Sequence, residues 1–252
     1  VGDIHGCSKA LRTLIECVDP QPNDEIIFLG DYVDRGPDSR GVIEQLIELK
    51  ARCRVVALRG NHEIMLCGVA FGGLDAKLWL EAGGHTTVAS YGGNLDKIPV
   101  SHRRFFDSLL PHYETDSEIY VHACYESHVP MDQQNDDMRY WRHVHAPPAP
   151  HVSGKRVFVG HTPQASGSVL DLGHLVCLDT YCFGTGYLTA MDVATDEMIQ
   201  VDKRGFRRRV PAEALWQWMR GTVTRIRRRL RKNRVRKTRR GGFGPSKTRA
   251  GG

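Results

Sequence analysis

Nothing in this 252-residue chain approaches the ~20 consecutive apolar residues that crossing a bilayer requires. No basic-then-apolar leader stands before its first polar motif, and the expectation is a cytoplasmic protein. Cysteines are few and odd in number, seven in all, scattered over positions 7, 17, 53, 67, 124, 177 and 182 with no C-x-x-C pair. That pattern favours reduced thiols over a disulfide scaffold or a zinc knuckle. Cys17 and Cys53 fall among apolar positions and read as small core residues. Acidic residues are nearly missing from the carboxyl-terminal fifth. From Lys203 onward, 19 of the 35 Lys and Arg stand against one of the 29 acids, Glu213, for a net +18. The 202 residues before it hold the other 16 bases and 28 acids, a net −12, so the overall +6 conceals an acidic body and a basic extension.

What is present is concentrated in three polar motifs: Gly2-Asp3-Ile4-His5-Gly6, Gly30-Asp31-Tyr32-Val33-Asp34-Arg35-Gly36 and Gly60-Asn61-His62-Glu63. The second and third each follow an apolar run, Ile26–Leu29 and Val55–Leu58, that reads as a short buried strand. Strands of an open α/β sheet present ligands at their carboxyl ends. Val1 reads as the last residue of a strand whose earlier part is missing, so a trimmed amino terminus is expected. Ser8 can cap a helix with apolar positions Leu11, Leu14, Ile15 and Val18, which Pro20 and Pro22 end. Asp38 or Ser39 can cap a second, with Val42, Ile43, Leu46, Ile47 and Leu49 as its buried stripe. The β-α-β rhythm predicts a parallel sheet covered by helices.

Residues 67–113 read as mostly helical, broken by glycines at 72–73, 83–84 and 92–93, and resemble a cap over a site more than core scaffold. Glu118–Val121 and Arg156–Val159 are strands again, ending in His122 and in Gly160-His161-Thr162. Residues 146–150 form a surface loop, and residues 175–201 read as short strands of a second sheet packed on the first.

The donors gathered at these strand ends suit a pair of divalent metals. Asp31 can bridge two cations. Asp3 and His5 would serve the first, and Asn61, His122 and His161 the second. Carboxylate, imidazole and amide without thiolate point to Mn, with Fe or Zn possible. Arg35 and Arg142 would offer cationic forks to a phosphate, together with Asn61. His62, oriented by Asp34, would protonate a leaving alkoxide. His85, His102, His112, His128, His143, His145, His151 and His174 are left as surface or core histidines.

On these motifs the chain resembles the phosphoprotein phosphatases, the serine/threonine branch of the calcineurin-like metallophosphoesterases, in a bacterial form. The resemblance covers residues 1 to about 202. It implies an α/β fold, a four-layer α/β/β/α sandwich, with a dimetal centre that directs an activated hydroxide at a phosphomonoester. Two departures stand out. The usual His-Gly-Gly reads His122-Ala123-Cys124, and the bacterial Leu-Leu-Trp-x-Arg reads Met138-Arg139-Tyr140-Trp141-Arg142, which makes Arg139 a rival to Arg142. The expected activity is a serine/threonine protein phosphatase on phosphoproteins or small phosphoesters. The alternatives are a symmetrical dinucleoside-tetraphosphate hydrolase, or a nucleic-acid-binding or scaffold protein with a vestigial site. Residues 203–252 are expected as a separate extension: an amphipathic helix with Leu215, Met219, Val223, Ile226 and Leu230 on one face, then a disordered end. Its partner would be acidic, RNA or an anionic membrane surface, and the protein a monomer.

Overall fold

The computed structural model describes residues 1–208, so the amphipathic helix and the disordered end expected in the extension lie outside the described residues. Among the described residues, no helix is long and apolar enough to cross a membrane.

The first motif turns directly into α1 (Ser8–Val18). Cys7, not Ser8, holds the capping position and makes no side-chain cap bond, because Ser8 has already entered the helix. Asp19 ends it in the left-handed conformation, its N–H bonded to the Ile15 carbonyl. β1 (Glu25–Phe28) and β2 (Arg54–Ala57) pair in parallel around α2 (Ser39–Leu49), as the rhythm predicts. Asp38 is the cap of α2, its carboxylate accepting from Gly41 N–H at 2.9 Å. Val1 and Gly2 lie between strands: Leu29 N–H donates to the Val1 carbonyl at 3.0 Å, and Gly2 N–H to Thr189 at 3.1 Å. Those bonds join the β1–β2 pair to the antiparallel hairpin of β8 (Tyr187–Met191) and β9 (Met198–Asp202).

A second sheet has the order β3-β4-β5-β7-β6, built from His112–Glu114, Glu118–Val121, Arg156–Val159, Leu175–Cys177 and Leu170–Asp171 respectively. Its centre, β4-β5-β7, is parallel. Residues 175–201 therefore do not share one sheet. β7 belongs to this one, whereas β8 and β9 extend the first.

Three clusters of buried side chains define the layers. Leu29, Val56, Leu58, Tyr120, Phe158, Val176 and Leu178 fill the space between the two sheets. On the outer face of the first sheet, α1 and α2 bury Leu11, Leu14, Val42, Ile43 and Leu46. Cys53 joins this cluster, while Cys17 is only half-buried. The outer face of the second sheet is covered by residues 123–144, mostly loop, with a 3-10 turn over Met131–Gln133 and a short helix, α7 (Asp136–Tyr140). The four-layer order holds, but the fourth layer is thin.

Residues 67–113 are helical with glycine breaks. They hold the end of α3 (Asn61–Gly72), then α4 (Lys77–Trp79), a π turn over Leu80–Gly84, α5 (His85–Ser90) and α6 (Val100–Asp107). The segment is more than a cap, because Phe105, Phe106 and Leu109 sit in the core beneath the first sheet.

Candidate active site

Asp31 is the centre of the arrangement. Its Oδ2 lies 3.5 Å from His5 Nε2 and its Oδ1 lies 3.4 Å from His122 Nε2, so one carboxylate faces two sides. Donor atoms converge within 4.8 Å in two groups that share it: His5–Asp31–His62 and Asp31–His122–His161. Asn61 belongs with the second, its Oδ1 at 3.1 Å from both His122 Nε2 and His161 Nδ1. Asp3 stands in neither group. It is buried, and its Oδ2 accepts the His161 N–H at 3.0 Å.

Backbone carbonyls decide which ring nitrogens face inward. His5 Nδ1 donates to Val33 at 2.9 Å, His122 Nδ1 to Leu29 at 2.8 Å and His161 Nε2 to Trp141 at 3.1 Å. Each bond protonates the far nitrogen and leaves a bare lone pair on the near one, the orientation that metal-ligating histidines adopt. Three lone pairs thus meet the oxygens of Asp31 and Asn61, acceptor against acceptor. Arg35 Nη1 reaches this ring from the side and donates to His5 Nε2 at 2.8 Å. Arg35 and the His62 backbone N–H, which donates to Asp31 Oδ1 at 3.1 Å, supply only part of the donors these acceptors need; a pair of divalent cations would satisfy the rest, and the residues present fit such a pair.

The titration directions agree. Burial drives His5 well below the usual imidazole range, lowers His122 and takes His161 down to about 3, so all three are neutral at neutral pH, the form a metal ligand needs. Burial would raise Asp31, yet the surrounding histidines, His122 foremost, hold it below the ordinary carboxylate range.

The loops reach this geometry under strain. His5, Asp31, Asp34, Arg35 and His161 all have φ between 46° and 71°, a region that side-chain-bearing residues seldom occupy. Glu63 holds the second motif in place. Its buried carboxylate accepts four backbone N–H bonds, from Asp31, Tyr32, Val33 and Gly60, at 2.7–3.3 Å. Position 60 must be glycine because a Cβ there would stand 2.1 Å from Asp31 Oδ1.

His62 is placed as the acid should be. Its Nδ1 donates to Asp34 Oδ2 at 2.7 Å, leaving Nε2 on the side of His5 and Asp31. Asp34 is wholly buried and further held by the Trp79 indole N–H at 2.8 Å and the Thr87 hydroxyl at 2.6 Å. Burial opposes a charge on His62, but Asp31 and Asp34 outweigh it and raise its pKa.

The two rival arginines part company. Arg139 bonds Asp136 at 2.8 Å and its backbone carbonyl receives Ala123 N–H, so it serves the altered His122-Ala123-Cys124 loop. Arg142 is exposed, with Asp137 4.0 Å away, and follows the Trp141 carbonyl that anchors His161.

Sequence reasoning missed several participants. Trp79 and Thr87 carry no spacing signal for contacts 45 and 53 residues distant. Phe183 packs edge-on against His5 at 4.8 Å and lies under the Arg35 guanidinium at 4.5 Å. His143 is exposed, as expected, yet stacks on His161 at 4.5 Å with His145 behind it at 5.1 Å. Asp179 is buried, and burial holds its carboxyl up at about 7.

This fold, with two ligand groups sharing one carboxylate at the sheet edge, defines a metallophosphoesterase. The chain belongs to the calcineurin-like phosphoesterase family, which it matches along residues 1–226, and is a hydrolase of that dimetal-dependent class. It is 31% identical to serine/threonine-protein phosphatase 1 of Salmonella typhimurium over 198 residues, 75% of this chain and 88% of that one. It is 39% identical to a symmetrical bis(5'-nucleosyl)-tetraphosphatase of Legionella pneumophila over 74 residues. That match spans 29% of this chain and about a quarter (26%) of the relative's length. Among solved structures, a candidate diadenosine tetraphosphatase superposes with a TM-score of 0.61 at 23% identity, covering 80% of this chain and 90% of that one. A cold-active protein-tyrosine phosphatase of Shewanella gives 0.58 at 15%, covering 82% and 78%.

Proposed function

We propose that this chain is a serine/threonine protein phosphatase whose two divalent cations, Mn or alternatively Fe or Zn, are held by Asp3, His5, Asp31, Asn61, His122 and His161. When bound, the cations supply Lewis acidity to the phosphoryl group and make water a nucleophile at neutral pH. Arg35, Asn61 and Arg142 bind the phosphoryl oxygens and fix the phosphorus in line. His62 carries a proton on Nε2, secured by Asp34 through Nδ1, and delivers it to the departing seryl or threonyl oxygen.

The observation that carries the substrate class is the fate of the aromatics in residues 67–113, where a nucleotide enzyme needs surfaces on which to stack a base. Trp79, Tyr91, Phe105 and Phe106 are each no more than 3% exposed. Phe71 lies under Arg103 at 4.7 Å, and Tyr113 stacks on Tyr120. The segment's aromatics are consumed by packing, which supports a peptide substrate over a dinucleotide. The long alignment with the Salmonella phosphatase supports the same reading.

One observation favours the second reading, a symmetrical dinucleoside tetraphosphatase. Trp141, 42% exposed, stands beside Arg142 and the stacked His143 and His145, and a base could rest there. Turnover of a phosphothreonine peptide, diadenosine tetraphosphate and an aryl phosphate, with Mn added and then chelated, separates the two. Chelator-sensitive release of phosphate from the peptide is expected. Conversion of the dinucleotide to two ADP with an inert peptide would overturn the protein-phosphatase reading.

A further inference from the structure

One apolar run ends at the centre without a role in the chemistry above. Leu175–Leu178 leads into Asp179. Packing of the backbone brings this strand end against the first motif. A Cβ on Gly2 would lie 2.1 Å from the Leu178 carbonyl oxygen and 3.2 Å from the Asp179 nitrogen, so only glycine lets the two ends abut. Gln164 N–H fixes the Asp179 carbonyl at 2.8 Å, and Tyr187 N–H fixes that of Thr180 at 2.9 Å.

The result is two neighbouring buried carboxyl groups, Asp3 at 3% and Asp179 at 1% exposure. Backbone engages one oxygen of each: His161 N–H donates to Asp3 Oδ2 at 3.0 Å, and Tyr181 N–H to Asp179 Oδ1 at 3.1 Å. The other two, Asp3 Oδ1 and Asp179 Oδ2, are buried and meet no N–H or hydroxyl donor, and the two carboxyl groups lie within hydrogen-bonding reach of one another. Two buried carboxyl groups so close can both be ionised only when a cation is near.

We propose that Asp179 is a further carboxylate of the cation centre, standing behind Asp3 and supplying negative charge that holds the divalent cation at the Asp3–His5–Asp31 end. This rests on the two-cation reading above. Asn at position 179 keeps an oxygen for Tyr181 N–H and nearly the same volume, so it removes the charge and turns the other oxygen into an amide donor that Asp3 can accept.

The experiment compares chelator-stripped wild-type protein with Asp179→Asn by equilibrium dialysis against Mn and by thermal melting of the stripped forms. The variant is expected to bind one of its two Mn ions roughly 10–100-fold more weakly, the range found when groups that support metal ligands are removed. Its stripped form should melt higher than stripped wild type, because one of two adjacent buried carboxyls is gone. Unchanged Mn uptake would overturn the proposal. So would a stripped variant that melts lower, the mark of a residue that only braces its loop. Wild-type protein that takes up no Mn would instead overturn the two-cation reading, and this one with it.

Discussion

Trp79 Nε1 and His62 Nδ1 share one acceptor, Asp34 Oδ2, at 2.8 Å and 2.7 Å, although the three residues come from α4, α3 and the second motif. The indole anchors the carboxylate that in turn aims the imidazole. Replacing Trp79 with Phe removes one donor and keeps the ring. Turnover is expected to fall roughly tenfold with KM little changed, as for other groups that orient a working side chain. The Asp34 charge would then bear more fully on His62, so the alkaline limb of the pH–rate profile should move upward. A normal profile with normal turnover would count against Trp79 as an anchor.

His62 itself is a sharper test. His62→Asn should cut turnover of a phosphothreonine peptide by about 10²–10⁴-fold, the usual worth of a positioned general acid. Metal content should hold, because His62 spends Nδ1 on Asp34 and the histidines assigned to the cations are others. Loss of bound metal in that variant would show that His62 is a ligand.

Asp31 should behave in the opposite manner. Its two oxygens face His5 and His122, so Asp31→Asn removes the carboxylate common to both groups. Cations and activity should disappear together, measured by elemental analysis of the dialysed protein beside its turnover. Retention of both cations would mean that the bridge lies elsewhere.

Stability of the chelator-stripped protein should fall as pH rises from 6.5 to 8.5. Burial, followed by the charge of Asp31, lifts Glu63 to about 8, and burial lifts Asp179 to about 7. An acid raised on folding contributes stability that is complete below its unfolded value and is lost as pH climbs through the folded one. His62, also raised, has the same sign. The depressed His5, His122 and His161 have the opposite sign, but their imidazoles are protonated only in the unfolded chain and only near the ordinary value of 6.5, so that rise is confined to the bottom of the window. Melting temperatures read across that range check the prediction, and a rising trend would contradict it.

Much of this was legible in the chain. Gly-Asp, Gly-Asn and Gly-His mark Asp3, Asp31, Asn61 and His161, the last three after short apolar runs, since a tight glycine turn at a strand end is what delivers them. Asp179 follows the same kind of run but lacks the preceding glycine, and so passed unnoticed. Local pattern could not assign residues 175–201 to their sheets, because the deciding bond, Gly2 N–H to Thr189, joins opposite ends of the described chain. Nor could it show that Ser8 is already inside α1, which depends on how the turn at Gly6 and Cys7 closes. The carboxylate of Glu63, read only as part of a motif, takes up four N–H groups of the second and third motifs. That role is visible only once both loops are in place.

The acceptors gathered around Asp31 outnumber their donors, as a site for two cations requires. Titrating Mn into chelator-stripped protein while following both uptake and phosphothreonine-peptide turnover tests it most directly. Uptake of about two ions per chain is expected, with activity returning in step. Full activity in the stripped protein, or no uptake at all, would contradict it.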